Sequence, residues 1–403
     1  MTTLISNFSL LCRLRRRVST LITARSDCLP FFGENARYRR EVEVAANVVR
    51  RACKLCVEVR RKLVADDGGI VEKSDRTPVT VADFGVQGLV SLELSKWFPS
   101  IPLVAEEDST FLRSNNLVKP VVNAVNDHSE LEGGAFTDTD VLGAIDRGGQ
   151  SLLAFGAKPA TYWVLDPIDG TRGFVIGGEV LYVVGLALIV EGKIVLGAMG
   201  CPNWPELSDT RTTTNAQQCE IGQSQTGILM VAHIGCGTWR TGLSIPLDDK
   251  TTSGSYWTRC FVDQCCFVHL ASFCISDSQT WDSLPLSHSF HATTDAGNIE
   301  EKQVLLLPTC CGSLCKYLMV ASGRASVFIL RARAIIKAWD HAVGVICVHE
   351  AGGQASDWKG RLLDFAADES DRRVIFPSGG VLVTNGNLQD QILRLISSPS
   401  DVS

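Results

Sequence analysis

No stretch of this chain is both apolar and charge-free over the roughly twenty residues that a membrane-spanning helix needs, so nothing in it reads as a membrane span. Positive charge is not in excess either. Lys and Arg number 38 against 44 Asp and Glu, a formal net charge of −6, which argues against a molecule built as a whole to hold nucleic acid and leaves a local basic pocket for a small phosphate ester. A second C-x-x-C is missing. Cys53-Lys54-Leu55-Cys56 stands alone inside a predicted helix and does not complete a zinc site. The chain has 15 cysteines, but with 403 residues and 45% hydrophobic content its core needs no disulfide staples. They read as reduced, buried thiols of an intracellular compartment, with a regulatory disulfide as the alternative. Acids are nearly missing from the first thirty residues, where Arg13, Arg15, Arg16, Arg17 and Arg25 face only Asp27 among Ser, Thr and Leu. That is the profile of a transit peptide, expected over residues 1–35 and directed to the mitochondrion, with the chloroplast as the alternative.

The rest is long enough for two domains, expected at 36–215 and 216–403. Residues 38–63 place Val42, Ala45, Val48, Val49, Ala52, Leu55, Cys56, Val59 and Leu63 at helical steps, with Arg and Lys on the other face. A second helix is expected from Asp83 to Phe98; taken alone, Asp83 reads as its N-cap. Residues 101–105 form a short strand that delivers Glu106-Glu107-Asp108. Leu181 to Gly200 reads as two strands joined at Glu191-Gly192. Residues 203–227 read as a polar surface loop, and Ile228–Ile234 and Arg259–Phe273 as strands. A helix is expected over Cys311–Val320, another over 340–351, and an amphipathic last one over Leu388–Ile396. Strands alternating with helices imply an α+β or α/β fold.

The chemistry concentrates in Trp163-Val164-Leu165-Asp166-Pro167-Ile168-Asp169-Gly170-Thr171-Arg172-Gly173-Phe174. An apolar strand reaches Asp166, and Pro167, which cannot donate a ladder bond, is expected to end it. Asp169 follows, and Gly170-Thr171 offers free backbone N–H groups. Two carboxylates beside such donors suit a divalent metal and a phosphate.

Together with Thr77-Pro78-Val79-Thr80-Val81-Ala82-Asp83-Phe84, Val104-Ala105-Glu106-Glu107-Asp108-Ser109, and Ala338-Trp339-Asp340-His341 followed by His349-Glu350-Ala351-Gly352-Gly353, this stretch makes four motifs in order. The chain closely resembles the lithium-sensitive, magnesium-dependent phosphatases that include inositol monophosphatase and 3′(2′),5′-bisphosphate nucleotidase. It is most similar to the nucleotidase branch, plant organellar type. The resemblance implies a layered αβαβα sandwich and two or three Mg2+ ions held by Asp83, Glu106, Asp166, the Ile168 carbonyl, Asp169 and Asp340. It also implies that Asp83 and Thr171 orient a water, that Gly170, Thr171 and Arg172 meet the phosphate, and that Ser313 and Lys316 hold the nucleotide. His341 is expected to be structural, since imidazole is a poor magnesium ligand.

The implied reaction removes the 3′-phosphate of adenosine 3′,5′-bisphosphate (PAP) to give AMP, extending to PAPS. Its alternatives are an inositol phosphate phosphatase and a PAP-binding protein of low turnover. Implied partners are small phosphate esters only, with no nucleic acid and no membrane, and the protein is expected as a monomer or homodimer. Three places depart from the branch. Residues 174–178 carry no Lys or Arg, residues 330–337 look shortened, and His288 is the one weak counterpart of a nucleotide-contacting histidine.

Overall fold

The structure, a computed structural model, describes the backbone of 23–25 and residues 29, 37–66, 70–72, 78–130, 134–149, 161–178, 180–205, 227–243, 256–295, 302–307, 309, 312–332, 335–366 and 371–397. Most of the expected transit segment and most of the 203–227 loop lie outside the described residues. The order begins with β1 (Thr23–Arg25), a long helix (Arg39–Asp66), β2 (Ile70–Glu72), β3 (Pro78–Thr80), the Val81–Trp97 helix and β4 (Leu103–Ala105). Helices Val118–His128 and Asp138–Gly149 lead to β5 (Tyr162–Asp169), the short Thr171–Ile176 helix, β6 (Val183–Val190) and β7 (Lys193–Cys201). Next come β8 (Ile228–His233), β9 (Gly237–Gly242), β10 (Tyr256–Arg259), β11 (Ser272–Ile275), β12 (His291–Thr293) and β13 (Gln303–Leu306). The Leu314–Ala321 helix, β14 (Val327–Arg331), β15 (Ile336–Lys337), the Ala342–Glu350 helix, β16 (Gln354–Asp357), β17 (Val374–Ile375), β18 (Gly380–Thr384) and the Gln389–Ser397 helix complete it.

Two sheets organise these elements. The first runs β1-β10-β9-β8-β7-β6-β5-β4, and the second β12-β13-β11-β14-β18-β16. The first sheet continues through β8 to β10, so residues on both sides of the expected division at 215 build it. Side-chain alternation on β5 decides the layering. Trp163 and Leu165 pack with Val48, Val49, Leu89 and Val90 of the two N-terminal helices. Tyr162 and Val164 face the other way, into a core with Leu314, Leu318, Val343 and Ile346. That middle helix pair is covered in turn by Phe328, Val381 and Val383 of the second sheet. The sheet's far face carries Phe273, Ile329 and Leu382 against Leu388 and Ile392 at the last helix. Helices, sheet, helices, sheet and helix stack in the αβαβα order the sequence implies.

Glu191 and Gly192 both take positive φ, 50° and 78°, which matches the twist of a two-residue hairpin between β6 and β7 as expected. Two expectations need correcting. Pro167 does not end β5, which runs on to Asp169 through an irregularity in its pairing with β6; proline is tolerated where the ladder is already interrupted. Residues 259–273 are not one strand: β10 stops at Arg259, and a short 3-10 helix (Val268–Leu270) precedes β11. The Asp263 carboxylate explains the break. It is buried and accepts hydrogen bonds from Ser326 Oγ, Asn385 Nδ2 and the Cys265 N–H, and so pulls the chain out of a ladder.

The His349-Glu350 motif is structural. His349 Nε2 accepts the Ala355 N–H at 3.1 Å, and both Glu350 oxygens accept N–H groups of the β8–β9 turn, from Gly235 at 2.9 Å and Gly237 at 2.8 Å. Glu350→Ala leaves these donors without their anionic acceptor and should cost about 1–3 kcal/mol. Thermal denaturation should show a melting temperature several degrees lower, with Glu350→Gln intermediate.

Candidate metal and phosphate site

The pairing irregularity in β5 is what assembles the site. Asp166 pairs with Gly185 and Asp169 with Val183, so three steps on β5 match two on β6. Without the extra residue, the period of two would send Asp166 and Asp169 to opposite faces. With it, both point toward the middle helices, and the Ile168 side chain joins the core on the other face. Asp340 arrives from the turn before the Ala342–Glu350 helix, whose N-cap is His341. It was expected inside the helix's first turn and instead lies just outside it, because the 338–341 turn closes through His341 N–H and Ala342 N–H to the Ala338 carbonyl. Carboxylate oxygens of Asp166, Asp169 and Asp340 all lie within 4.8 Å of one another.

Asp83 and Glu106 flank this triad. Asp83 is not the N-cap of its helix, as its sequence position had implied. Thr80 takes that role in an extended conformation, and Asp83, at the third helical position, accepts from Thr80 N–H and Oγ at 2.8 Å each in a capping box. The helix starts two residues earlier because that reciprocal pair satisfies its first donors. The second oxygen of Asp83 faces Thr171 Oγ at 3.2 Å, and the same hydroxyl lies 3.0 Å from the Ile168 carbonyl. Glu106 is exposed at the end of β4. Its position is set by Gln87, a buried amide that the sequence reading did not single out. Gln87 accepts the Glu107 N–H and donates to the Glu107 and Ile145 carbonyls.

Burial and mutual repulsion act together on the acids. Burial, then Asp169, Glu106, Asp340 and Asp83, hold the Asp166 carboxyl well above the ordinary range; burial, then Asp169 and Glu106, do the same for Asp340. Asp169 is pushed up to about 6 by burial, and less far than the others because Lys316 and backbone N–H groups oppose the rise. Ser313 N–H and Leu314 N–H reach Asp169 at 2.9 and 2.6 Å. Gly312, at φ 62°, permits this grip, since a Cβ there would sit 2.2 Å from an Asp169 oxygen. Lys316 is buried, with Nζ 2.7 Å from the Gly312 carbonyl. Ser313 and Lys316, expected to hold nucleotide, are engaged with Asp169 in the protein itself.

Gly170 takes a left-handed conformation, φ 85°, and opens the Thr171–Ile176 helix, which carries Arg172 exposed. Arg60 of the first helix lies against Gly177, where a Cβ would be 2.2 Å from its guanidinium. A basic group thus stands beside a segment that has none of its own, a proximity no local pattern announces. His341 is buried and bonded to Tyr317, and His288 is exposed at the end of a 3-10 turn. Ten described cysteines are free thiols, and burial holds Cys53 and Cys56 above the ordinary thiol range, where they are unreactive.

The donor set fits a hard divalent cation. All three triad side chains offer oxygen, as magnesium prefers, and Asp166 Oδ1 is buried with no hydrogen-bond partner. An inositol monophosphatase family model matches residues 38–400. The chain belongs to the inositol monophosphatase family. Among relatives, a provisionally named mitochondrial 3′(2′),5′-bisphosphate nucleotidase of Arabidopsis thaliana is 58% identical over 377 residues, covering 92% of this chain and 90% of that one. The 3′,5′-bisphosphate nucleotidase AHL of the same plant is 36% identical, covering 85% and 93%. Among solved structures, suhB from Bartonella henselae shares the fold with TM-score 0.54 at 17% identity, covering 90% and 100%. The Thermotoga maritima IMPase gives 0.52 at 17%, covering 89% and 96%.

A carboxyl raised in the folded state binds protons that the unfolded chain has released, so its contribution is complete below about pH 4 and lost as pH rises through the folded value. For Asp169 that window runs from the ordinary 3.8 to about 6. Metal-free protein should lose stability across it. A cation competes with those protons, so the melting-temperature gain from added magnesium should grow between pH 5 and pH 7, measurable by scanning fluorimetry.

Proposed function

We propose that this protein is a magnesium-dependent phosphatase that removes the 3′-phosphate of adenosine 3′,5′-bisphosphate, giving AMP and inorganic phosphate, and that it also accepts PAPS. The observation that carries the reading is the partnerless buried oxygen of Asp166 within a cluster of raised carboxyls. The names of the relatives at 58% and 36% identity support the substrate class. Two or three ions would be held by Asp166, Asp169 and Asp340 with Glu106, Asp83 and the Ile168 carbonyl. When bound, they supply Lewis acidity and neutralise phosphoryl charge.

The chain's own groups do the rest. Thr171 Oγ has one proton and two neighbouring acceptors, the Ile168 carbonyl and Asp83, so its lone pairs are turned to receive a hydrogen bond from the attacking water. Asp83 is the acceptor toward which the water's proton moves. The N–H groups at Gly170 and Thr171, opening the helix, receive phosphate oxygens, with Arg172 alongside. A cavity of about 170 Å³ opens at the carboxyl ends of parallel strands β11, β13 and β12, lined by Ser276, Asp277, Gln279, Thr294 and Thr309. Ligands favour that edge of a parallel sheet, and the nucleoside would lie there. In the proposed division, Asp83, Glu106, Asp166 and Asp169 belong to the 36–215 part, and Ser313, Lys316 and Asp340 to the 216–403 part. The Arg-rich first residues and the name of the A. thaliana relative support action in the mitochondrion.

Phosphate release from PAP should require magnesium, be inhibited by lithium, and exceed release from inositol 1-phosphate and inositol 1,4-bisphosphate in kcat/KM. Asp169→Ala and Asp340→Ala should abolish it, and Thr171→Ala should lower kcat by about a hundredfold or more. Turnover persisting in both aspartate variants sinks the mechanism. Preference for an inositol phosphate replaces the substrate, and tight PAP binding without hydrolysis turns the protein into a binder.

A further inference from the structure

The two helices of the middle layer each serve one side of the acid triad. The Leu314–Ala321 helix presents its first N–H groups to Asp169, and the Ala342–Glu350 helix begins directly after Asp340. A polar contact joins them near these ends: Tyr317 OH and His341 Nδ1 lie 3.0 Å apart, with both residues buried. Their rings meet edge to face at 5.8 Å. The approach is made possible by Gly344, where a Cβ would lie 2.2 Å from the Tyr317 ring. Tyr317 is also pinned from behind by Phe328 of β14, edge to face at 5.4 Å. The hydroxyl therefore has little freedom to leave its partner.

We propose that Tyr317 and His341 are positioning residues: their hydrogen bond sets the separation between Asp169 and Asp340 and so prearranges the site for its cation. His341 adjoins Asp340 in the chain, and Tyr317 is one helical turn beyond the amides that grip Asp169. A slip between the helices would move the two carboxylates relative to each other. Like-charged groups at this range drift apart unless something holds them, and partners of a metal's ligands tune its affinity. Packing alone would not do this. Tyr317→Phe keeps the ring and its contacts while removing the oxygen that fixes the register.

The proposal rests on the metal reading of the triad, and calorimetric titration of the metal-free full-length chain with magnesium chloride separates the two. The unaltered protein should bind magnesium. Tyr317→Phe should raise the dissociation constant about tenfold, His341→Ala should do the same, and His341→Asn, which keeps a polar atom near the Nδ1 position, should lose much less. The double variant Tyr317→Phe/His341→Ala should bind no more weakly than Tyr317→Phe by more than about twofold, since one hydrogen bond cannot be lost twice. A magnesium affinity within twofold of the unaltered protein in Tyr317→Phe, even with a lowered melting temperature, reduces the pair to a structural contact and overturns the proposal. No binding by the unaltered chain overturns the metal reading itself. If Tyr317→Phe does not fold, His341→Asn against His341→Ala carries the same comparison, with equal affinities as the overturning result.

Discussion

Carboxylates that repel one another inside a protein are the constraint on which this structure turns. Three unit charges within 4.8 Å cost about 3 kcal/mol for each pair at an effective dielectric near 20, and two of the three side chains are almost fully buried. A fold of ordinary stability cannot carry several such terms without protons or cations. The raised carboxyls of Asp166 and Asp340 are the proton solution. A divalent cation is the other, and it is the one the oxygen-only donor set suits.

The fold's contribution is to make that crowding unavoidable. β5 supplies two acids to one face only because its ladder with β6 carries an extra residue. Asp340 comes from more than 170 residues later, brought there by a helix that packs on the same sheet. Close approach of the middle helices to β6 and β7 depends on glycines in those strands. A Cβ at Gly185 would lie 2.4 Å from Leu314, and one at Gly197 would lie 2.8 Å from Val343 and Ile346. Small residues in the sheet thus set the distance at which acids from two elements meet.

Much of this could be read before the structure. The acid pair in Leu165-Asp166-Pro167-Ile168-Asp169 stands out because it follows a buried apolar run, and the order of four motifs implied both the layers and Asp340. What could not be read depends on pairing and packing. The bulge that puts Asp166 and Asp169 on one face is a property of β5 against β6, so local reasoning about Pro167 ended the strand too early. Asp83 looked like an N-cap because side-chain type alone does not say which of Thr80 and Asp83 is extended. Gln87 and Arg60 carry no motif, and their roles appear only once helices lie beside a strand end or a glycine. Lys316 and Ser313 were assigned to nucleotide from resemblance; their hold on Gly312 and Asp169 is a tertiary fact.

That hold also separates the roles of acids that look equivalent in the sequence. Asp169 has the backbone N–H groups of Ser313, Leu314 and Cys315 and a buried ammonium group nearby, so part of its charge is already balanced and its rise stops at about 6. Asp166 has an oxygen with no hydrogen-bond partner, and burial with neighbours of its own sign holds it well above the ordinary range. The two acids therefore differ in what the fold supplies. Asp169 is held in place by donors at the start of the Leu314–Ala321 helix, whereas the partnerless oxygen of Asp166 is left for a proton or a cation to satisfy.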